Sequence, residues 1–288
     1  MSNPLMVSSG WHFTRPDSSN QQFFRDDLRQ IAGQQEKFNL PWEDNMYLVY
    51  PSPETPNWPA FVAHVERLNA EADANTQYKI IYIMRRAHKE KHDIDVQDPQ
   101  LDDEGRTQCT QLVNDFGRAI HTAGLPRPQV ILTSPLARAL ETTKFGIVPL
   151  FPTVRPIVHE CLRERLNGAE RNKRHDKRWI EQNFPEFDTD LVDEMDHYGA
   201  VYGNAYHEEP YEVRWQRIQG VLTHVYDKHE DALVVLLMTH CYMQQTIQRE
   251  ITGWDVSEKE RKEAVEFFIG EAKGYLLHIL YSVQSLLV

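Results

Sequence analysis

The chain has 288 residues, 41% of them hydrophobic and 26% charged, with a formal net charge of −12. This is the composition of a soluble globular protein with a large core, and its acidic balance excludes nucleic acid and anionic membrane as general partners. An anionic ligand would have to be bound in a local cationic pocket set against an acidic surface.

Three scattered cysteines, Cys109, Cys161 and Cys241, form neither a CxxC pair nor a disulfide framework, which points to a reducing, cytoplasmic setting. "MSNPLMVSSGWHF" lacks the basic and apolar regions of a secretory signal, and "ALVVLLM" is far too short to span a bilayer. Residues 1–75 are expected to form an arm packed on the main domain. Within them "QQFFRDDLRQIAG" has the pattern of a short helix stopped at Gly33, "PSPETPNWP" is an extended connection, and "AFVAHVERLNAEA" has apolar residues at helical spacing.

From Tyr78 the pattern sharpens. "YKIIYIM" is an apolar run of strand length, suited to burial on both faces. "LDDEGRTQCTQLVNDFGRAIHTAG" predicts a helix capped by Asp102 or Asp103 and stopped near Gly124. "PQVILTS" predicts a second strand, leading into "PLARALETTKFG", a helix with Pro135 in its first turn. "TVRPIV" is a candidate third strand, "YEVRWQRIQGVLTHVYDKH" an amphipathic helix, "ALVVLLMTH" a fourth strand and "CYMQQTIQREITG" its following helix. "KGYLLHILYSVQSLLV" closes the chain with a strand-like segment. This alternation predicts an α/β domain over 76–288: a three-layer, mostly parallel sheet flanked by helices. Residues 168–210 interrupt it with a polar, aromatic and acidic stretch lacking periodicity, read as a lid insertion.

Ligands of a parallel α/β sheet bind at the C-terminal edges of the strands. Those edges deliver Arg85, Arg86 and His88 after the first strand, Ser134 after the second with Arg138 one helical turn beyond, and Thr239 and His240 after the fourth. The segment after the third strand adds Arg163, Glu164 and Arg165. Several independent strand ends thus converge on arginine and histidine, the make-up of a phosphate or carboxylate pocket.

The segments "IMRRAH", "LDDEGRTQC", "LTSPLARALET", "CLRERLNGAERNKRHDKR" and "LLMTHCYMQQ", in that order, resemble the histidine phosphatase superfamily, its phosphoglycerate-mutase-like branch. "HDKRWIEQNFPEFD" is similar to an insertion of the fungal phosphomutase-like members. The resemblance implies a first strand ending in Arg-His-Gly, whose histidine attacks phosphorus. It makes Arg85 the first phosphate-binding arginine, Arg138 the second, His240 the late histidine and Glu164 the acid that protonates the leaving oxygen. Ala87 replaces the glycine, and Arg86 stands where the nucleophilic histidine belongs.

A guanidinium keeps its proton and offers no lone pair, so phosphohistidine chemistry cannot run through residue 86. The first reading is therefore an enzyme repurposed to another reaction on an anionic small molecule. Arg86 joins Glu164 and His240 as its catalytic set, with Arg85, Arg138, His88, Ser134 and Arg163 binding substrate. Glu164 and His240 would provide acid–base chemistry: a dehydration, cyclisation, isomerisation or hydrolysis. The alternatives are a phosphatase or mutase with another nucleophile or a substituted histidine, and a non-catalytic binding module. No GxGxxG, P-loop or metal cluster is present, so no cofactor and no metal are expected. His88 and His92 read as part of a charged loop, "HYGAVYGNAYHEEPY" as lid or self-packed surface, and Cys241 as core.

Overall fold

The structure, a computed structural model, describes residues 58–71, 77–89, 96–202 and 208–252, with the short pieces 11–12 and 284–285. The expected helix ending at Gly33, the loop histidine His92 and most of the C-terminal strand-like segment lie outside the described residues. Trp11–His12 and Gln284–Ser285 pair antiparallel.

Helix α1 spans Trp58–Glu71, strand β1 Ile80–Arg85, α2 Asp103–Ala123, β2 Val130–Thr133 and α3 Ala137–Thr142. They are followed by β3 at Ile157–Val158, α4 at Lys177–Asn183, α5 at His197–Tyr202, α6 at Tyr211–Lys228, β4 at Val234–Thr239 and α7 at Cys241–Thr252. The four strands β1 to β3 and β4 form one parallel sheet in the order β1-β4-β2-β3. This is the expected α/β architecture, with helices on both faces.

Because side chains alternate along a strand, each buried run feeds two cores. Ile80, Tyr82, Met84, Ile131, Leu236 and Met238 pack against Trp58, Val65, Phe116 and Phe151. Ile81, Ile83, Leu132, Val235 and Leu237 face the other way, onto Ile218, Leu222 and Tyr226 of α6 and Met243 and Ile247 of α7. The helix read from Ala60 therefore begins at Trp58 and is anchored in the core.

Local signals explain the boundaries. Asp102 caps α2 by accepting from the Gly105 amide at 2.8 Å, and Gly124 ends that helix at φ 68°. The helix expected from Pro135 is shorter: α3 starts at Ala137, and from Thr143 to Ile147 the chain makes a π-helical turn. That turn lies against α2 so closely that a Cβ on Gly146 would sit 2.9 Å from a methyl carbon of Leu112. The third strand is reduced to two residues, since Pro156 has no amide hydrogen for the ladder.

Residues 168–202 are held by charge as well as by the buried apolar contacts of Ile180, Phe184, Phe187 and Val192 with Leu140 and Val158. Buried Arg163 donates to Glu160 at 2.7 Å and to both oxygens of Asp196 at 2.5 and 2.9 Å, while Arg174 Nε donates to the other Glu160 oxygen at 2.8 Å. Bonds like these have no sequence period, which is why the stretch reads as irregular.

On the sheet's other flank three histidines meet edge to face, His159 to His224 with ring centroids 5.3 Å apart and His224 to His229 at 5.2 Å. Burial, with His224 beside it, pushes the His159 imidazole down to about 3. Burial and then His229 and Lys228 push His224 down to about 4. The folded protein thus holds these rings neutral, whereas the unfolded chain takes up protons below about pH 6.5. Stability is expected to fall as pH drops from 6.5 towards 4. Denaturant titrations across that range should show a shallower fall in His224→Phe than in the unmodified chain.

Candidate active site

The parallel register fixes what shares the rim. Arg85 pairs with Thr239, the Arg86 amide donates to Thr239 O at 2.9 Å, and the Ser134 amide donates to Met238 O at 3.0 Å. β1, β4 and β2 therefore end level, and Arg86, His240 and Ser134 leave the sheet together. The Ala87 amide donates to Thr142 Oγ1 at 3.0 Å, which ties the turn after β1 to α3.

Arg86 is half-buried and donates from Nη1 to its neighbour's carbonyl, Ala87 O, at 2.6 Å. Burial, and after it the charges of Arg138 and Arg85, lower its pKa well below the usual guanidinium value; Glu164 opposes this. Arg138 is only 2% exposed. Its Nη1 donates to Arg171 O at 2.6 Å and its Nη2 to Asn172 Oδ1 at 2.9 Å, with Asp98 3.7 Å from Nη1. Its Nε is buried without a partner among the described residues.

Glu164 reaches the same cluster. Its Oε1 accepts from the amides of Arg165 at 2.9 Å and of Tyr242, at the start of α7, at 3.2 Å. It acts electrostatically on Arg86, Arg138 and Cys241. His240 is buried, with Nε2 2.8 Å from Ser134 Oγ. Burial and then Arg138, Arg86, Arg85 and Arg217 depress its pKa well below the ordinary imidazole value, so the ring is neutral. Cys241 is half-buried, and burial pushes its thiol up to about 11, away from a reactive thiolate.

Two expected ligands are drawn elsewhere. Arg163 is 0% exposed and its fork is closed by Glu160, Asp196 and the carbonyl of Asn172, so it organises the insertion from inside. His88 turns its Nδ1 onto Asp102 at 2.7 Å, with Glu104 3.5 Å away, and so becomes part of the α2 N-terminus. Charge type alone could not distinguish these side chains from rim ligands.

Asp98 was not singled out by sequence, yet it carries part of the site. It is 1% exposed with φ 43°, accepts from the Ala137 amide at 2.9 Å and stands beside Arg138. Burial raises its carboxyl to about 7 against the pull of Arg138 and the Ala137 and His175 amides. Aspartate tolerates the left-handed conformation better than most side chains. Asn172 is the second addition, since it holds Arg138.

Among the described residues no group of three or more His, Cys, Asp or Glu side chains could hold a metal ion. No described helix is long and apolar enough to cross a membrane.

The sheet order and its helical layers define an α/β protein with one parallel sheet between helices. The chain belongs to the histidine phosphatase superfamily (branch 1), whose sequence profile matches residues 81–265, more than half of it. No curated protein matches the chain. Among solved structures it is similar to a mycobacterial glucosyl-3-phosphoglycerate phosphatase, at 18% identity and TM-score 0.41 over 64% of this chain and 86% of the other. It is also similar to the ecdysone phosphate phosphatase of Bombix mori, at 16% identity and TM-score 0.43 over 62% and 80%. A phosphoglycerate mutase from Bacillus anthracis matches at 14% identity and TM-score 0.42 over 62% and 81%.

Proposed function

We propose that the protein binds an anionic small molecule, a phosphate ester or carboxylate, where Arg85, Arg86, Arg138 and His240 meet, and acts on it without a phosphohistidine. Family membership supports a phosphatase-like site; residue 86 argues against the usual nucleophile. Glu164 is the group suited to proton transfer, in a hydrolysis, dehydration, cyclisation or isomerisation.

The observation that carries this reading is the electrostatic one. Arg86 and Arg138 are desolvated, and the charges of Arg138 and Arg85 weigh on Arg86. Glu164, and Asp98 beside Arg138, offset part of that charge. Desolvated guanidiniums that act on one another make a site for an anion. A bound oxyanion relieves the repulsion and meets the buried Arg138 Nε–H.

Thermal unfolding with increasing inorganic phosphate tests the reading. A ligand that binds only the native state adds about 2.7 kcal/mol when present at about 100 times its Kd, so Tm should climb with phosphate and keep climbing through that range. Arg86→Gln should lose most of that rise, yet without phosphate be as stable as the unmodified chain or more so, because a like-charge contact has gone. If neither phosphate nor citrate raises Tm, or if Arg86→Gln responds like the unmodified chain, the anion site is refuted. A relocated nucleophile at His88 is the main competitor, and the Asp102 contact that turns its ring towards α2 weighs against it.

A further inference from the structure

Ser134 and His240 end neighbouring strands and meet beneath the rim, at 0% and 1% exposure. Their contact, Oγ to Nε2 at 2.8 Å, leaves open which atom donates. Counting the groups around it resolves the choice. Ser134 Oγ already accepts from the Leu136 amide at 3.3 Å, and among the described residues the acceptor for its own proton is His240 Nε2. His240 Nδ1 is buried with no partner among the described residues.

A neutral imidazole carries one ring proton. On Nε2, that proton would go to Ser134 Oγ, stranding both the hydroxyl proton and the Nδ1 lone pair. On Nδ1, the hydroxyl donates to Nε2 and only the Nδ1–H is left unmet. Each unmet buried group costs about 1–3 kcal/mol, so the arrangement with one such group is favoured over the one with two.

We propose that Ser134 is a positioning residue that fixes His240 as its Nδ1–H tautomer, making the ring a hydrogen-bond donor to a bound oxyanion and not a proton acceptor. The inference rests on the anion site proposed above for its ligand, while the tautomer rests on the Ser134 contact alone. Two consequences follow for the chemistry. The Nε2 lone pair is occupied by the serine hydroxyl, so His240 does not serve as a general base, and proton transfer falls to Glu164. The charges of Arg138, Arg86 and Arg85 act on the ring, and an anion they draw in would meet the Nδ1–H. Together with the Arg138 Nε–H, it gives the oxyanion a second buried donor that no other described residue uses.

The experiment is two-bond 1H–15N correlation on protein carrying 15N-labelled histidine, with the His240 signals assigned by their loss in His240→Asn. In the unmodified chain Nδ1 is expected to be protonated and Nε2 bare, and inorganic phosphate should shift the Nδ1 signals. Ser134→Ala should lose the single tautomer and bind phosphate at least about tenfold more weakly, the scale of one hydrogen bond to a charged group. Ser134→Thr, which keeps the hydroxyl, should recover the tautomer. A protonated Nε2 in the unmodified chain, or an unchanged tautomer in Ser134→Ala, overturns the role of Ser134. If the tautomer behaves as expected but phosphate leaves the His240 signals untouched, the positioning role stands and the anion site falls.

Discussion

Replacing Arg86 by histidine is expected to create phosphomonoesterase activity well above that of the unmodified chain. Residue 86 leaves β1 level with His240, its amide bonded to Thr239 O and the next turn tied to Thr142. An imidazole placed there would stand at the same rim as Arg85, Arg138 and Glu164. Removal of a nucleophile from an enzyme that depends on it costs up to about 10⁶ in rate, so a gain on the order of 10³ or more is expected even from an imperfectly placed histidine. The assay is turnover of a generic phosphomonoester, together with trapping of an acid-labile phosphoenzyme. Adding Glu164→Gln to Arg86→His should then remove about 10²- to 10⁴-fold of the gained rate, the scale of a general acid. Equal activity in the unmodified chain would sink the claim that it works without a phosphohistidine. No gain at all would mean that Arg138, whose two Nη atoms are engaged by Arg171 O and Asn172, no longer reaches a phosphoryl group.

The same residues show what a sequence discloses. The strands at Ile80, Val130 and Val234 were legible because runs buried on both faces have few other uses, and Asp102 and Gly124 mark α2 through local hydrogen bonding and backbone conformation. Strand order follows from long-range pairing and leaves no local trace. Yet it is that pairing, β1 and β2 on either side of β4, that brings Arg86, Ser134 and His240 together. Arginine as a residue type was legible, but its partner was not. Arg85, Arg86 and Arg138 share the rim, whereas Arg163, one residue before Glu164, turns inward to Glu160 and Asp196. Glu160 and Asp196 are thirty-odd positions apart in sequence, and their joint hold on one guanidinium exists only in the folded chain. Asp98 escaped for a related reason: its significance lies in the α3 amide it accepts from, thirty-nine positions away.

That inward network should have a large effect on stability. Glu160 is 8% exposed and serves Arg163 through one oxygen and Arg174 through the other. Glu160→Ala takes from Arg174, 0% exposed, the carboxylate it donates to and leaves Arg163, 1% exposed, with Asp196 alone. Breaking a buried pair by removing one partner costs about 3–5 kcal/mol, because the remaining charge stays desolvated. In a domain of this size about 1 kcal/mol corresponds to roughly 2–4 °C in Tm, so a drop of roughly 6–20 °C is expected. Lys144 and Glu186 provide the contrast, a pair 3.1 Å apart but 33% and 36% exposed, and Lys144→Ala should cost less than about 1 kcal/mol. The damage should also reach the rim along a traceable route: Arg163 donates to Asn172 O, and Asn172 Oδ1 accepts from Arg138. Glu160→Ala should therefore weaken phosphate binding at temperatures where the variant is still folded. Calorimetry of the two variants beside the unmodified chain decides it. A Glu160→Ala cost no greater than that of Lys144→Ala would mean that Asp196 alone suffices for Arg163, and that the insertion is held by the apolar contacts of Ile180, Phe184, Phe187 and Val192 instead.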